Sequence, residues 1–191
     1  MKELDFQELM VELINKKLKE KNLLRKYIAR KGKAVLYELT LDENLNLNVK
    51  NHKKPTRGQS AFETDVTIFA KKLGVEVPFI ILEVKDNISS HDIITYSNKA
   101  KRHKTVYPFL RYGLVAYGIN FIPMRFFKHN KEIDFFLTLS KYLRDREKLS
   151  SILFELVNKE FENFERLQKI LHSKEKMNFY QKIPILKDFE E

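Results

Sequence analysis

A chain of 191 residues, 43% hydrophobic and 32% charged, has the apolar material for one sizeable domain with a helical appendage, which excludes a disordered polypeptide. No apolar run reaches the roughly 18 residues of a membrane-spanning helix, the opening MKELDFQELM has no signal-peptide core, and the absence of Cys excludes disulfides and thiolate zinc sites, as suits a reducing cytoplasm. Lys and Arg total 36 against 26 Asp and Glu, and the resulting +10 suits a polyanionic partner such as nucleic acid, or equally a set of Lys-rich solvated faces.

The chain opens with a helical period from about Lys2 to Ala29, in which Leu9, Leu13 and Leu24 share an apolar stripe with Met10, Ile14 and Tyr27. KEKN, Lys19 to Asn22, is a point of interruption, and Lys31-Gly32-Lys33 is the expected stop. AVLYELTL (Ala34–Leu41) and LNLNV (Leu45–Val49) predict a hairpin turning at Asp42 to Asn44, followed by the basic loop NHKKPTRGQS, Asn51 to Ser60. AFETDVTIFA (Ala61–Ala70) and Val77–Lys85 predict two more strands joined by a short turn. Ser89 or Ser90 caps a helix that has Asp92 in its first turn and runs to about Lys104. Tyr112–Ile119 is a short buried strand, Arg125–Leu139 a late hairpin, and Ser140 to about His172 a helix with Leu149, Leu153, Leu156, Phe164 and Leu167 inward; residues 174–191 carry no assignment.

Within PFIILEVKDN, Pro78 to Asn87, an apolar run is broken by Glu83 and then by Lys85. Alternate residues of a strand share a face, so Glu83 and Lys85 point one way and Leu82 and Val84 the other. A short turn before this strand makes it antiparallel to its predecessor, which brings Asp65 beside Glu83 with Lys85 next to them. Two crowded carboxylates repel unless one protonates or a cation lies between them. A hard divalent ion resolves the conflict, Mg2+ best, with the Val84 carbonyl as a further oxygen ligand. By spacing alone, Glu-x-Lys equally describes an ordinary cross-strand ion pair.

ETDVTIF followed by ILEVK resembles the PD-(D/E)XK nuclease superfamily, the restriction-endonuclease-like fold. The resemblance covers roughly Lys2 to Ile119 and includes the element order. It implies an α/β fold with an αβββαβ core, a central mixed sheet flanked by helices, and a C-terminal helical extension. The division it suggests is a core over 1–125, with 126–191 a hairpin and helical extension packed on the same domain. It implies a Mg2+-dependent deoxyribonuclease, with Mn2+ able to substitute. Asp65 and Glu83 would be metal ligands beside the Val84 carbonyl, and Lys85 the catalytic lysine. The first half of the motif departs from the pattern, reading Thr64-Asp65 where the superfamily has Pro-Asp. Many members add an acid from the first helix, for which Glu8 and Glu12 are the candidates, and Glu63 is a further acid close to Asp65.

Lys99, Lys101, Arg102 and Lys104, late on the helix after the motif, are candidate phosphate contacts; the same charges also suit a helix C-terminus. Tyr107, Phe109 and Tyr112 nearby read as core rings before stacking platforms. In the basic loop, Lys53, Lys54, Arg57 and Gln59 are candidates for DNA contact, and a solvated connection fits them equally. No His has zinc-ligand spacing, and no nucleotide-binding glycine motif or GxSxG occurs. The expected activity is restriction-type DNA cleavage. A structure-specific or repair nuclease and a non-cleaving DNA-binding module of the same fold are the alternatives. Expected partners are DNA, a second copy of the chain, and a methyltransferase or larger nuclease complex, without a membrane.

Overall fold

The computed structural model describes residues 2–48, 54–58, 60–72 and 74–172. Its centre is a five-stranded mixed sheet in the order β1 (Tyr27–Leu36), β2 (Ala61–Lys72), β3 (Val75–Lys85), β4 (Arg111–Ala116) and β5 (Phe135–Thr138). The first three strands are antiparallel neighbours, whereas β3, β4 and β5 are parallel. Helices α1 (Glu3–Glu20) and α4 (Arg146–His172) cover one face; α2 (Ser90–Val106) and α3 (Met124–His129) cover the other. The chain is therefore an α/β protein. Among the described residues no helix is long and apolar enough to cross a membrane.

β3 runs through the middle of both layers. Ile80, Leu82 and Val84 pack toward α1 and α4, and Ile81 packs toward α2. A strand buried on both faces needs a continuous apolar run rather than alternation, which is what FIIL supplies. α2 begins where the sequence predicts it: the Ser89 hydroxyl accepts from the Asp92 amide, and the Asp92 carboxylate accepts from the Ser89 amide.

The first helix is shorter than its apolar period suggests. Asn22 adopts a left-handed conformation, φ 56°, and ends it. The following residues, Tyr27 onward, form β1 instead, and the Asn15 side chain holds both the amide and the carbonyl of Ala29. Gly32 does not stop a helix; it lies inside β1 with φ 60°. The expected hairpin after it reduces to a single bridge between Leu41 and Leu47, and Val49 lies outside the described residues.

The late hairpin expected over 125–139 is instead the short helix α3 followed by β5, which pairs parallel to β4. Phe135 crosses over Gly113 so closely that a Cβ there would lie 1.9 Å from its ring. β5 thus belongs to the same sheet as β4, and α4 packs with α1 against β3 and β4. A 3-10 turn (Ser140–Tyr142) and Asp145, whose side chain accepts from the Lys148 amide, lead into α4.

Candidate functional site

The site is built where the β2–β3 ladder ends and the β1–β2 ladder misses one pair. Between β1 and β2 the pairing passes from Lys31↔Val66 to Lys33↔Thr64, skipping Gly32 and Asp65. Between β2 and β3 it ends at Val66↔Leu82. Asp65 is therefore unpaired on the β3 side, and the left-handed Gly32 lies opposite it on β1 at the missing pair. The buried hydroxyls of Thr64 and Thr67 bond each other at 2.6 Å, and Thr64 also donates to the Lys33 carbonyl, so the kink leaves these polar groups satisfied.

In place of a backbone carbonyl, the Asp65 carboxylate takes up the free amide of Val84, with Oδ2 accepting at 2.8 Å. The N–H and C=O of one strand residue point to the same side, so the Val84 carbonyl faces the gap that Asp65 occupies.

Glu83 enters from the next position on β3 and is 2% exposed. Its Oε1 accepts from the Tyr112 hydroxyl at 2.5 Å, and Lys99 Nζ lies 3.8 Å from the same oxygen. Lys99 itself is seated beside the rings of Tyr96 and Phe62, 5.2 and 5.7 Å from their centroids. Burial pushes the Glu83 carboxyl up to about 7; Lys99 and the Tyr112 hydroxyl oppose the rise, and Asp65 adds to it both as a charge and as a hydrogen-bond partner. Asp65 therefore lies near enough to raise the Glu83 carboxyl, with its own carboxylate on the amide of the next residue, Val84.

Lys85, at the end of β3, reaches the first turn of α1. Its ammonium lies 3.0 and 3.1 Å from the two carboxylate oxygens of Glu3. Burial pulls the Lys85 pKa down, but the hydrogen bond and charge of Glu3, with Asp65 and Asp92, leave it raised, so Lys85 is a cation.

The acid of α1 that lies against Lys85 is Glu3, whereas the expected candidates Glu8 and Glu12 lie elsewhere. Glu8 pairs with Lys31 at 2.5 Å and its side chain is 70% exposed; Glu12 is exposed as well. The helical rise puts them about 7.5 and 13.5 Å farther along α1 than Glu3. Sequence reasoning passed over Glu3 because the contact spans 82 positions and depends on which end of α1 docks at the end of β3. Glu63 lies at the mouth rather than inside: its side chain is 52% exposed and stands 3.8 Å from Arg57.

The cations on α2 divide by direction. Lys99 faces inward to Glu83, and Lys101 is exposed. Arg102 lies over the Tyr37 ring at 4.0 Å and pairs with Glu38 at 2.7 Å. Lys104 is committed to the fold: it donates to the Glu132 carbonyl and pairs with Asp134, which also holds Arg111, itself paired with Glu160 of α4. Lys54 and Arg57 are exposed in the loop before β2, and Lys53 and Gln59 lie outside the described residues.

Among the described residues, no three His, Cys, Asp or Glu side chains gather into a ready metal cage. The donor set available here is two carboxylates and one carbonyl, all hard oxygens. Such a set fits Mg2+, which takes one or two carboxylates and keeps several waters, better than a soft metal. The nearness of Asp65 to the buried Glu83 supports the same fit, because a divalent cation relieves the repulsion that protonation otherwise removes. The sequence matches no protein-family model and no curated protein.

Proposed function

We propose that the chain is a Mg2+-dependent DNA endonuclease of the restriction-endonuclease-like fold, hydrolysing phosphodiester bonds at Asp65, Glu83 and Lys85. The observation that carries this reading is the Asp65 carboxylate on the Val84 amide, beside the buried Glu83 and with Lys85 on the same strand end, in a molecule of net charge +10. The sheet order and its mixed pairing are compatible with that fold, and Glu3 supplies the first-helix acid.

Asp65, Glu83 and the Val84 carbonyl would hold Mg2+, or Mn2+ in its place, which would supply Lewis acidity toward a phosphodiester oxygen and a water. The remaining work belongs to the chain. Tyr112 and Lys99 hold one oxygen of Glu83, which fixes the orientation of the carboxylate. Val84 does the same for Asp65 through its amide. Lys85 presents its ammonium where negative charge grows on the phosphate as water adds and the P–O bond breaks, and it orients that water. Glu3 holds Lys85 in place until the substrate competes for it.

Incubation of plasmid and linear DNA with Mg2+ or Mn2+, with an EDTA control, tests the reading. Metal-dependent cleavage by the wild type, lost in Asp65→Ala, Glu83→Ala and Lys85→Ala, supports it. Full cleavage by Glu83→Ala removes it. Salt-sensitive DNA binding without cleavage points instead to a binding module. Discrete fragments identify restriction-type cleavage, and junction-dependent nicking identifies a structure-specific enzyme.

A further inference from the structure

We infer that the groove between α2 and α3 is a track for an unpaired DNA strand, so that the substrate carries single-stranded nucleotides beside the bond to be cut. The position of the cut rests on the nuclease reading; the binding of the strand does not.

The groove begins at the site. The Tyr117 amide donates to the Lys85 carbonyl at 3.0 Å and the Gly118 amide to the Asp86 carbonyl at 2.8 Å. The chain leaving β4 is thus laced to the chain leaving the catalytic strand, and a Cβ at Gly118 would lie 2.2 Å from Asp86 Oδ1. From that point the chain presents Phe121, Met124 and Phe127, which are 66, 68 and 48% exposed, and Ile94 on α2 is 45% exposed. Beyond them lies the groove itself, lined by Ile94, Ser97, Asn98, Lys128, His129 and Lys131.

Three properties point to one ligand chemistry. The lining contains cations and neutral polar groups but no carboxylate. Lys101 is exposed on the same face of α2, two turns after Ile94. The walls are fixed before any ligand arrives, because the Ser97 hydroxyl accepts from the Lys131 and Glu132 amides at 3.0 and 3.1 Å. Solvent-facing rings next to a cationic, pre-formed groove match bases that stack and a backbone that is anionic. In a blunt duplex the base faces are already stacked on one another, so the ligand that uses both features is an unpaired strand.

Fluorescence anisotropy of the wild-type protein in EDTA tests this, with a labelled oligo-dT strand, a blunt duplex, and a duplex carrying a single-stranded tail. The expected result is that the strand and the tailed duplex bind about tenfold tighter than the blunt duplex. Phe121→Ala and Phe127→Ala should each weaken strand binding by about tenfold, as loss of one stacked base does. The double variant Lys128→Ala, Lys131→Ala should flatten the salt dependence by about 1.4 in log–log slope. All four side chains are exposed, and thermal melting checks that each variant remains folded. Equal affinity for strand and blunt duplex overturns the inference, as does unchanged strand binding in the ring variants. Binding of anionic vesicles or polyglutamate at the same strength overturns it too. Absence of Mg2+-dependent cleavage in a separate assay removes the nuclease reading and leaves the track standing.

Discussion

Replacing Glu83 by Gln should stabilise the metal-free protein, even though it destroys the proposed site. The Glu83 carboxyl is 2% exposed and its pKa is raised from 4.5 to about 7, so the uncharged form favours the fold. Its contribution is full below pH 4.5, is lost as the pH rises toward 7, and is absent above that. At 1.36 kcal/mol per unit, the rise amounts to about 3 kcal/mol. Gln is neutral at every pH, can accept from the Tyr112 hydroxyl and can donate to Asp65. In EDTA, Glu83→Gln should therefore match the wild type near pH 4.5 and exceed it by up to about 3 kcal/mol at pH 8, or roughly 6–12 °C in melting temperature for a chain of this size. His103 acts in the opposite direction: burial lowers its pKa to about 4, so its contribution is lost as pH falls from 6.5 toward 4. That loss is common to both proteins and drops out of the difference. Urea unfolding across pH 4.5 to 8 measures the gap, and Mg2+ at pH 8 should raise the wild type alone. A difference that does not vary with pH, or a variant less stable than wild type at pH 8, refutes the idea that Glu83 is held against its charge.

Asp65→Asn should abolish cleavage yet bind DNA at least as tightly as wild type in a gel-shift assay, because a negative charge near the phosphates is removed. Tyr112→Phe takes away the hydroxyl that donates to Glu83, so the fold should lose about 1–3 kcal/mol at pH 8 in urea unfolding and Mg2+ affinity should fall in calorimetry. Gly113→Ala should destabilise by about 3 kcal/mol or more, since the added Cβ would lie 1.9 Å from the Phe135 ring; a stable variant would show that β5 can shift away from β4. Glu3→Gln should leave Lys85 without its charged partner and lower the cleavage rate while leaving thermal stability within about 1 kcal/mol, as befits a half-exposed ion pair.

The parts of this fold that the sequence discloses are those that local chemistry decides. The Ser89–Asp92 cap is complete within four residues, and the apolar run of β3 admits only a strand buried on both faces. The proximity of Asp65 and Glu83 follows from a short turn between antiparallel strands. The parts it conceals depend on a choice between two local solutions or on a distant partner. Gly32 can end a helix or interrupt a strand, and the pairing of β1 with β2 selects the second. FFLT can close a hairpin or enter the sheet by a crossover, and only the space over Gly113 and the covering helix α4 make the parallel pairing favourable. Tyr112 reads correctly as a core ring, yet its hydroxyl is the donor that orients Glu83 from 29 positions away. Lys99 and Lys104 are five residues apart and alike in composition, but one meets Glu83 and the other Asp134.

The two acids impose opposite requirements on the same strand end. Asp65 stands where β2 has parted from β3 and is held by one backbone amide, half-buried at the edge of water. Glu83 is held in the dry interior by Tyr112 and Lys99. A carboxylate in such a place is costly to ionise without a cation, and Lys99 at 3.8 Å only partly opposes that cost, since the carboxyl remains raised to about 7. On the proposed reading a divalent ion would relieve this cost in place of a proton, so Mg2+ affinity in calorimetry should fall as the pH drops below about 7 and the proton competes. If Lys99 and Glu83 form a structural ion pair alone, the same titration should show no Mg2+ binding at any pH, and that result would refute the metal reading.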